Sequence, residues 1–219
     1  MKLYDEAFKA AALTVNAFVG RELEGYPADG GVSLPWLCQM AINAGAGDHL
    51  EIGASWGASA IAVALAKRAA GLPGKIYCID PYKDGGKRKG VQLMGTNEVA
   101  SIAGAKRNFK TAEVDVTIVR ALSSPFPKTL KDKRFVSAYV DGDHAGDMPY
   151  KDLLECAKRT QYFIGMDNYE EGYPEVMEAA HKFTSKQEWN LYFKNFMFIA
   201  FRTEQHPRGS LLSHRTEHN

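Results

Sequence analysis

The sequence predicts an α/β fold built on a mainly parallel sheet. Three observations carry this. Short apolar strands alternate with helical segments from residue 49 onward, Gly and Pro punctuate the junctions, and the last segment alternates aromatic with polar residues. At 219 residues the chain is one domain, or one domain with a small appendage. Hydrophobic residues make up 45% and charged residues 24%, a balance that excludes a wholly disordered chain.

Taken in order, residues 3–19 place Leu3, Phe8, Ala12, Val15 and Val19 at mostly three- and four-residue spacing, an amphipathic helix. A loop rich in Gly and Pro follows from Gly25 to Gly31. Ser33 reads as a helix N-cap, with Pro35 in the first turn of a helix running to about Asn43. Gly45 to Asp48 breaks it. Residues 49–52 form a short strand, and 58–70 an apolar helix. Gly71 to Gly74 turn the chain into a strand over 75–80. Pro81 to Gly95 is Lys- and Gly-rich and is expected to be a mobile loop. A helix is expected over 97–109, a strand over 116–121, a Pro-broken loop, and a strand over 136–141. A helix over 150–159 and a strand over 162–167 come next, then a helix over 174–183. Residues 189–202 read as an antiparallel hairpin turning at Lys194-Asn195, which adds antiparallel pairing at one sheet edge. The tail 204–219 is polar and expected to fray. The division expected is 1–45 as N-terminal helices, 46–203 as the α/β domain, and 204–219 as the tail.

Several function classes are excluded early. The net charge is +1, which gives no support to a nucleic-acid binder or a membrane-surface binder. No apolar run approaches the roughly 20 residues that span a bilayer. Asp5 and Glu6 stand where a signal peptide would be basic. Cys38, Cys78 and Cys156 are scattered, with no CxxC pair, so neither a zinc site nor a disulfide framework is indicated. A cytoplasmic protein is expected.

In an open α/β sheet the ligand crevice lies at the carboxyl ends of the strands. The segment Glu51-Ile-Gly53-Ala-Ser55-Trp-Gly57-Ala-Ser59 follows the first strand there. Gly53 and Gly57 permit a sharp turn and a close backbone approach, and the helix beyond presents free N–H groups. Asp80 ends the next strand, where an acid typically accepts hydrogen bonds from ribose hydroxyls. The glycines are spaced GxxxG rather than GxGxxG, and Glu51 precedes the first of them by two residues. No pyrophosphate cradle is built, which favours S-adenosylmethionine over NAD. A plain strand–helix turn with an incidental aspartate is the alternative.

With those motifs in place, HLEIGASWGASAIAVALA, GKIYCIDPY, VRALSSPFP, YVDGDH and YFIGMDNY together resemble a class I S-adenosylmethionine-dependent methyltransferase. More narrowly, the chain is similar over residues 33–202 to small metal-dependent O-methyltransferases of the catechol, caffeoyl-CoA and macrolide-sugar types. The resemblance implies a Rossmann-like, doubly wound sheet of seven strands with the last antiparallel. It implies cofactor contacts from Glu51, Gly53, Ser55, Gly57, Ser59, Asp80, Ser123 and Asp141, with Ser123 placed at the adenine edge.

Asp141-Gly-Asp143-His144 and Asp167-Asn168 follow the next two strands and open at the same sheet edge as Gly53. Two carboxylates and an amide oxygen form a hard-oxygen set suited to Mg²⁺. The resemblance assigns the metal ligands to Asp141, Asp167 and Asn168. At the position of the family's base, Lys in the catechol type and His in the macrolide-sugar type, stands His144. An imidazole suits that task near neutral pH. Asp143 is expected to cap the helix beyond. Where the family usually has Lys-Pro-Gly-Gly before the fifth strand, this chain has Lys158-Arg-Thr-Gln161.

Weaker signals are Lys83, Lys87, Arg88 and Lys89, which read as a solvated loop before they read as a lid. Trp56 is expected against the methionine end of the cofactor or the N-terminal helix. Tyr169 and Tyr173 are candidates for the wall of an acceptor pocket, with plain packing the simpler role. His49, at the opposite end of its strand, reads as structural. The expected activity is Mg²⁺-assisted O-methylation of a small-molecule hydroxyl on a natural product, sugar or phenol. The alternatives are a metal-independent N-methyltransferase and a non-catalytic S-adenosylmethionine-binding module. A homo-oligomer is expected, with no nucleic-acid or membrane partner.

Overall fold

The computed structural model describes residues 2–25, 32–82, 100–187, 189–194 and 196–202. The loop expected from Gly25 to Gly31 beyond its first residue, Lys83, Lys87, Arg88 and Lys89, the start of the helix expected at Asn97, Asn195 of the hairpin turn and the tail 204–219 lie outside these residues.

The elements run α1 (Lys2–Val19), α2 (Leu34–Asn43), β1 (His49–Ile52), α3 (Ala58–Ala69), β2 (Ile76–Ile79), α4 (Ile102–Thr111), β3 (Val116–Val119), β4 (Phe135–Val140), α5 (Met148–Ala157), β5 (Thr160–Met166), α6 (Pro174–Lys186), β6 (Asn190–Lys194) and β7 (Met197–Phe201). The seven strands form one sheet in the order β3-β2-β1-β4-β5-β7-β6. β1 to β5 pair in parallel, β7 runs antiparallel to β5, and β6 antiparallel to β7. This is the expected sheet. The expected hairpin is also present, with β7 inserted beside β5 and β6 at the edge.

Period-two alternation divides the core between the two faces. Ile76, Cys78, Tyr139 and Phe163 pack with α1 to α4. Leu50, Ile52, Ile79, Ala138 and Val140 pack with α5 and α6. The central strands β1, β2 and β4, covered on both sides, are therefore apolar apart from His49, Glu51 and Ser137. Phe135, Phe183 and Phe198 are fully buried on the α5–α6 side. Each contributes roughly 1.5–3 kcal/mol of burial.

Local chemistry moves several boundaries from their expected places. Ser101 caps α4, accepting the Gly104 N–H at 3.0 Å, so this helix starts at Ile102 rather than near Asn97. α5 starts at Met148, two residues early, because Pro149 is compatible with a first helical turn. Asp147, not Asp143, occupies the N-cap position of α5. Asp143 closes only a local turn, where its carboxylate accepts the Ala145 N–H at 3.1 Å. Ser33 precedes α2 as expected, but its hydroxyl makes no cap.

Candidate active site

Strand register assembles the site. Ile52 is paired with Ile79 and Val140, and Val140 with Met166. One residue beyond this row stand Gly53, Asp80, Asp141 and Asp167. The ladder continues through their backbone: Gly53 donates to Ile79 (2.9 Å), Asp141 to Ile52 (2.8 Å) and Asp167 to Val140 (3.0 Å). Four segments separated in sequence thus meet at one sheet edge.

Gly53 adopts φ +88°, and a Cβ there would lie 1.9 Å from the Asp141 carbonyl oxygen. No other residue fits between the turn and the β4 loop. Gly57, at φ +86°, is the N-cap of α3, and a Cβ there would strike the Phe109 ring. The first N–H groups of α3 are left facing the turn without a capping side chain.

Asp80 is buried and committed to the turn. One carboxylate oxygen accepts the N–H groups of Ala54 (2.9 Å) and Ser55 (3.0 Å), and the other accepts that of Tyr82 (2.8 Å). The expectation of ribose contact alone omits this role: the acid first shapes the loop that faces the ligand. Tyr82, missed in the sequence, donates its phenol to the Ser55 carbonyl at 2.9 Å, and Arg120 donates to the Tyr82 carbonyl at 3.1 Å. Burial and the neighbouring carboxylates push the phenol well above its ordinary range. The Asp-Pro-Tyr run was the only signal for it.

Glu51 is fully buried and in register with Cys78, on the α1–α4 side. Ser59 donates to its Oε1 at 2.5 Å, while Oε2 is buried with no hydrogen-bond partner among the described residues. Burial pushes the carboxyl up to about 8, the Ser59 hydroxyl opposes the rise, and the charges of Asp141 and Asp80 add to it. The glycine-shaped turn, the open helix terminus and this orphaned acid fit a nucleoside with an amino-acid end.

In the acidic loops, His144 Nε2 lies 3.5 Å from Asp141 Oδ1, and its ring meets Tyr173 edge-on at 5.0 Å. Asp167 is buried and accepts the Ser33 hydroxyl at 3.0 Å. Asn168 sits at φ +57°, a conformation asparagine tolerates. Among the described residues no three His, Cys, Asp or Glu side chains converge closely enough to hold a metal ion. The candidate set takes its third donor from the Asn168 amide, and its all-oxygen chemistry fits Mg²⁺.

The remaining expectations divide. Trp56 is buried in the core cluster that includes α1, and its ring fills the spaces over Gly25 and over Gly104 of α4. Ser123 is buried beside the Asp152 carboxyl, which burial raises to about 6 and this hydroxyl lowers. Tyr169 donates to or accepts from His181 Nε2 at 3.1 Å and stacks on Phe193, so it is packing, while Tyr173 walls His144. His49 is buried on Ser137 at 2.8 Å, as a structural residue should be.

Residues 50–188 match the family model described as a methyltransferase domain. No curated protein matches the chain. Solved structures that resemble it include a Bacillus cereus O-methyltransferase in complex with SAH, at 12% identity, TM-score 0.61, covering 89% of this chain and 91% of that one. Another is the Streptomyces achromogenes O-methyltransferase TomG, involved in tomaymycin synthesis and bound to SAM, at 17% identity, TM-score 0.57 and 88% of each chain. A third is an SAH-bound Podospora anserina methyltransferase, at 14% identity, TM-score 0.58, with 90% of this chain and 87% of that one.

Proposed function

The chain belongs to the methyltransferase-domain family, and from that premise we propose that it transfers a methyl group from S-adenosylmethionine to the hydroxyl oxygen of a small molecule, assisted by Mg²⁺. The observation that carries the proposal is the row Gly53, Asp80, Asp141 and Asp167 at one sheet edge, with His144 beside Asp141.

The turn at Gly53–Gly57 and the start of α3 bind the methionine and ribose portions, with Asp80 holding the turn's shape. Ser123 lies toward the adenine end. Asp141, Asp167 and Asn168 would hold Mg²⁺, whose charge favours the deprotonated form of a bound hydroxyl. His144 Nε2 accepts the proton of the acceptor hydroxyl. The oxygen then forms its bond to the methyl carbon as the sulfur–carbon bond breaks, leaving S-adenosylhomocysteine. Holding oxygen, carbon and sulfur in line is mostly a proximity effect. Tyr173 fixes the imidazole from one side.

A metal-independent transfer is the second reading. One observation favours it: no three His, Cys, Asp or Glu side chains converge on a metal position among the described residues. The test is turnover of catechols, phenolic acids and glycosides with Mg²⁺ and with EDTA. The proposal expects methyl ethers and a rate that collapses in EDTA. Full turnover in EDTA removes the metal; methylation at nitrogen alone removes the O-transfer. Exposed Leu13 and Val19 on α1 support a homo-oligomer, which light scattering checks.

A further inference from the structure

One buried side chain ties the outer side of the glycine turn to two other parts of the chain. Asn108 of α4 donates from Nδ2 to the Trp56 carbonyl (3.0 Å) and to the Glu24 carbonyl (2.9 Å). Its Oδ1 accepts the Glu24 N–H at 2.8 Å. Both donors and the acceptor of one planar amide are therefore engaged, and the three bonds cannot adjust independently.

The packing around this tie is as tight as its hydrogen bonding. The Trp56 ring fills the space where a Cβ would stand on Gly25 (2.3 Å away) and on Gly104 (2.7 Å away). The Trp56 carbonyl belongs to the peptide that enters Gly57 and α3, so a shift of the turn on ligand binding moves the Asn108 amide. That amide holds both backbone groups of Glu24. The segment 20–25 follows α1, and α2, further along the same stretch, reaches Asp167 through Ser33. The tie thus joins the cofactor turn to the N-terminal elements on the acidic side of the site.

We infer that Asn108 is a positioning residue that couples occupation of the glycine turn to ordering of the segment 20–25. The inference rests on the reading that S-adenosylmethionine binds at that turn. Coupling is reciprocal: whatever orders 20–25 also tightens the turn. A residue that only fills space would support both segments equally with and without ligand.

Amide hydrogen exchange on the full chain, with and without S-adenosylhomocysteine, tests this. In the wild type the ligand is expected to slow exchange at 53–57 and also at 20–25, including the Glu24 N–H. In Asn108→Ala, protection at 53–57 remains, ligand-dependent protection at 20–25 disappears, and affinity falls about fivefold or more, the lower range of ordinary site coupling. Asn108→Asp, which keeps the acceptor and loses both donors, gives the same pattern if the alanine variant does not fold. Glu24→Ala removes only the exposed pair with Arg107 and keeps both protections. Wild-type protection confined to 53–57, or a variant that retains both, overturns the coupling alone. Absence of ligand-dependent protection anywhere overturns the cofactor reading and the coupling with it.

Discussion

Ser33 Oγ donates to Asp167 Oδ1 at 3.0 Å, joining the start of α2 to the end of β5 across 134 residues of sequence. Both side chains are buried. A serine before a helix would ordinarily cap it. Here the hydroxyl orients a candidate ligand instead. Ser33→Ala is expected to destabilise the fold by about 1.5–3 kcal/mol, the range for a hydrogen bond to a charged group. The two residues should also couple: a double-mutant cycle of Ser33→Ala with Asp167→Ala, read by urea unfolding, should give an interaction of at least ~0.5 kcal/mol. Strict additivity would show that the Ser33 hydroxyl does not support Asp167.

Asp80 should matter before any ligand is present. Asp80→Ala leaves the N–H groups of Ala54, Ser55 and Tyr82, the first and last of them buried, without their carboxylate. Thermal unfolding without ligand should show a loss of at least ~1.5–3 kcal/mol. An Asp80→Ala protein as stable as wild type, but impaired in ligand binding, would make Asp80 a ligand contact alone.

The pH dependence of stability should carry the mark of Glu51. Its carboxyl is raised to about 8 in the folded protein against an ordinary value of 4.5. Between these values the folded state holds a proton that the unfolded state has released. Stability from this group is therefore full below pH 4.5, falls as pH rises through the window, and is flat above 8. The slope is at most about 1.4 kcal/mol per pH unit. Glu51→Gln keeps an Oε1 acceptor for Ser59 and should remove the fall. Parallel stability–pH curves for the two proteins would contradict the raised value.

Gly104 lies in the first turn of α4, its N–H capped by Ser101, and alanine is ordinarily the better helix former by up to about 1 kcal/mol. A Cβ there would stand 2.7 Å from the Trp56 ring. Gly104→Ala is accordingly expected to destabilise by roughly 1–3 kcal/mol, as overpacking does. Chemical denaturation gives the sign, and a stabilised variant would show that the Trp56 ring can move aside.

His144→Ala should lower turnover of an acceptor by roughly 10²–10⁴-fold, the range for a lost general base. The deficit should shrink as pH rises and the acceptor hydroxyl ionises unaided. A pH-independent deficit would assign His144 to binding rather than proton transfer.

Much of the fold was legible because its signals are local. Short apolar runs between Gly- and Pro-marked junctions indicated the strand at 49–52 and one at 116–121 that ends at Val119, and the GxxxG spacing marked the turn at Gly53. Strand ends also placed Asp80, Asp141 and Asp167 correctly, since parallel register brings them together whatever the loops do. What was not legible is where side-chain hydrogen bonds go. Ser33 carries a cap signature, yet its partner lies on another strand. Trp56 stands inside the motif, yet its ring is buried in the core against Gly25 and Gly104, where a side chain would collide with it. Asn108, in mid-helix, has no sequence signature at all, because its three partners are backbone groups of distant segments.

On the proposed reading, the glycine turn and Asp80 hold the nucleoside of S-adenosylmethionine. Titration calorimetry with S-adenosylhomocysteine and NAD, each with and without Mg²⁺, decides it. Saturable binding of S-adenosylhomocysteine, weakened tenfold or more in Asp80→Ala by an amount consistent with a charge-assisted hydrogen bond, with no binding of NAD, is the predicted result. Binding of NAD with none of S-adenosylhomocysteine would contradict it.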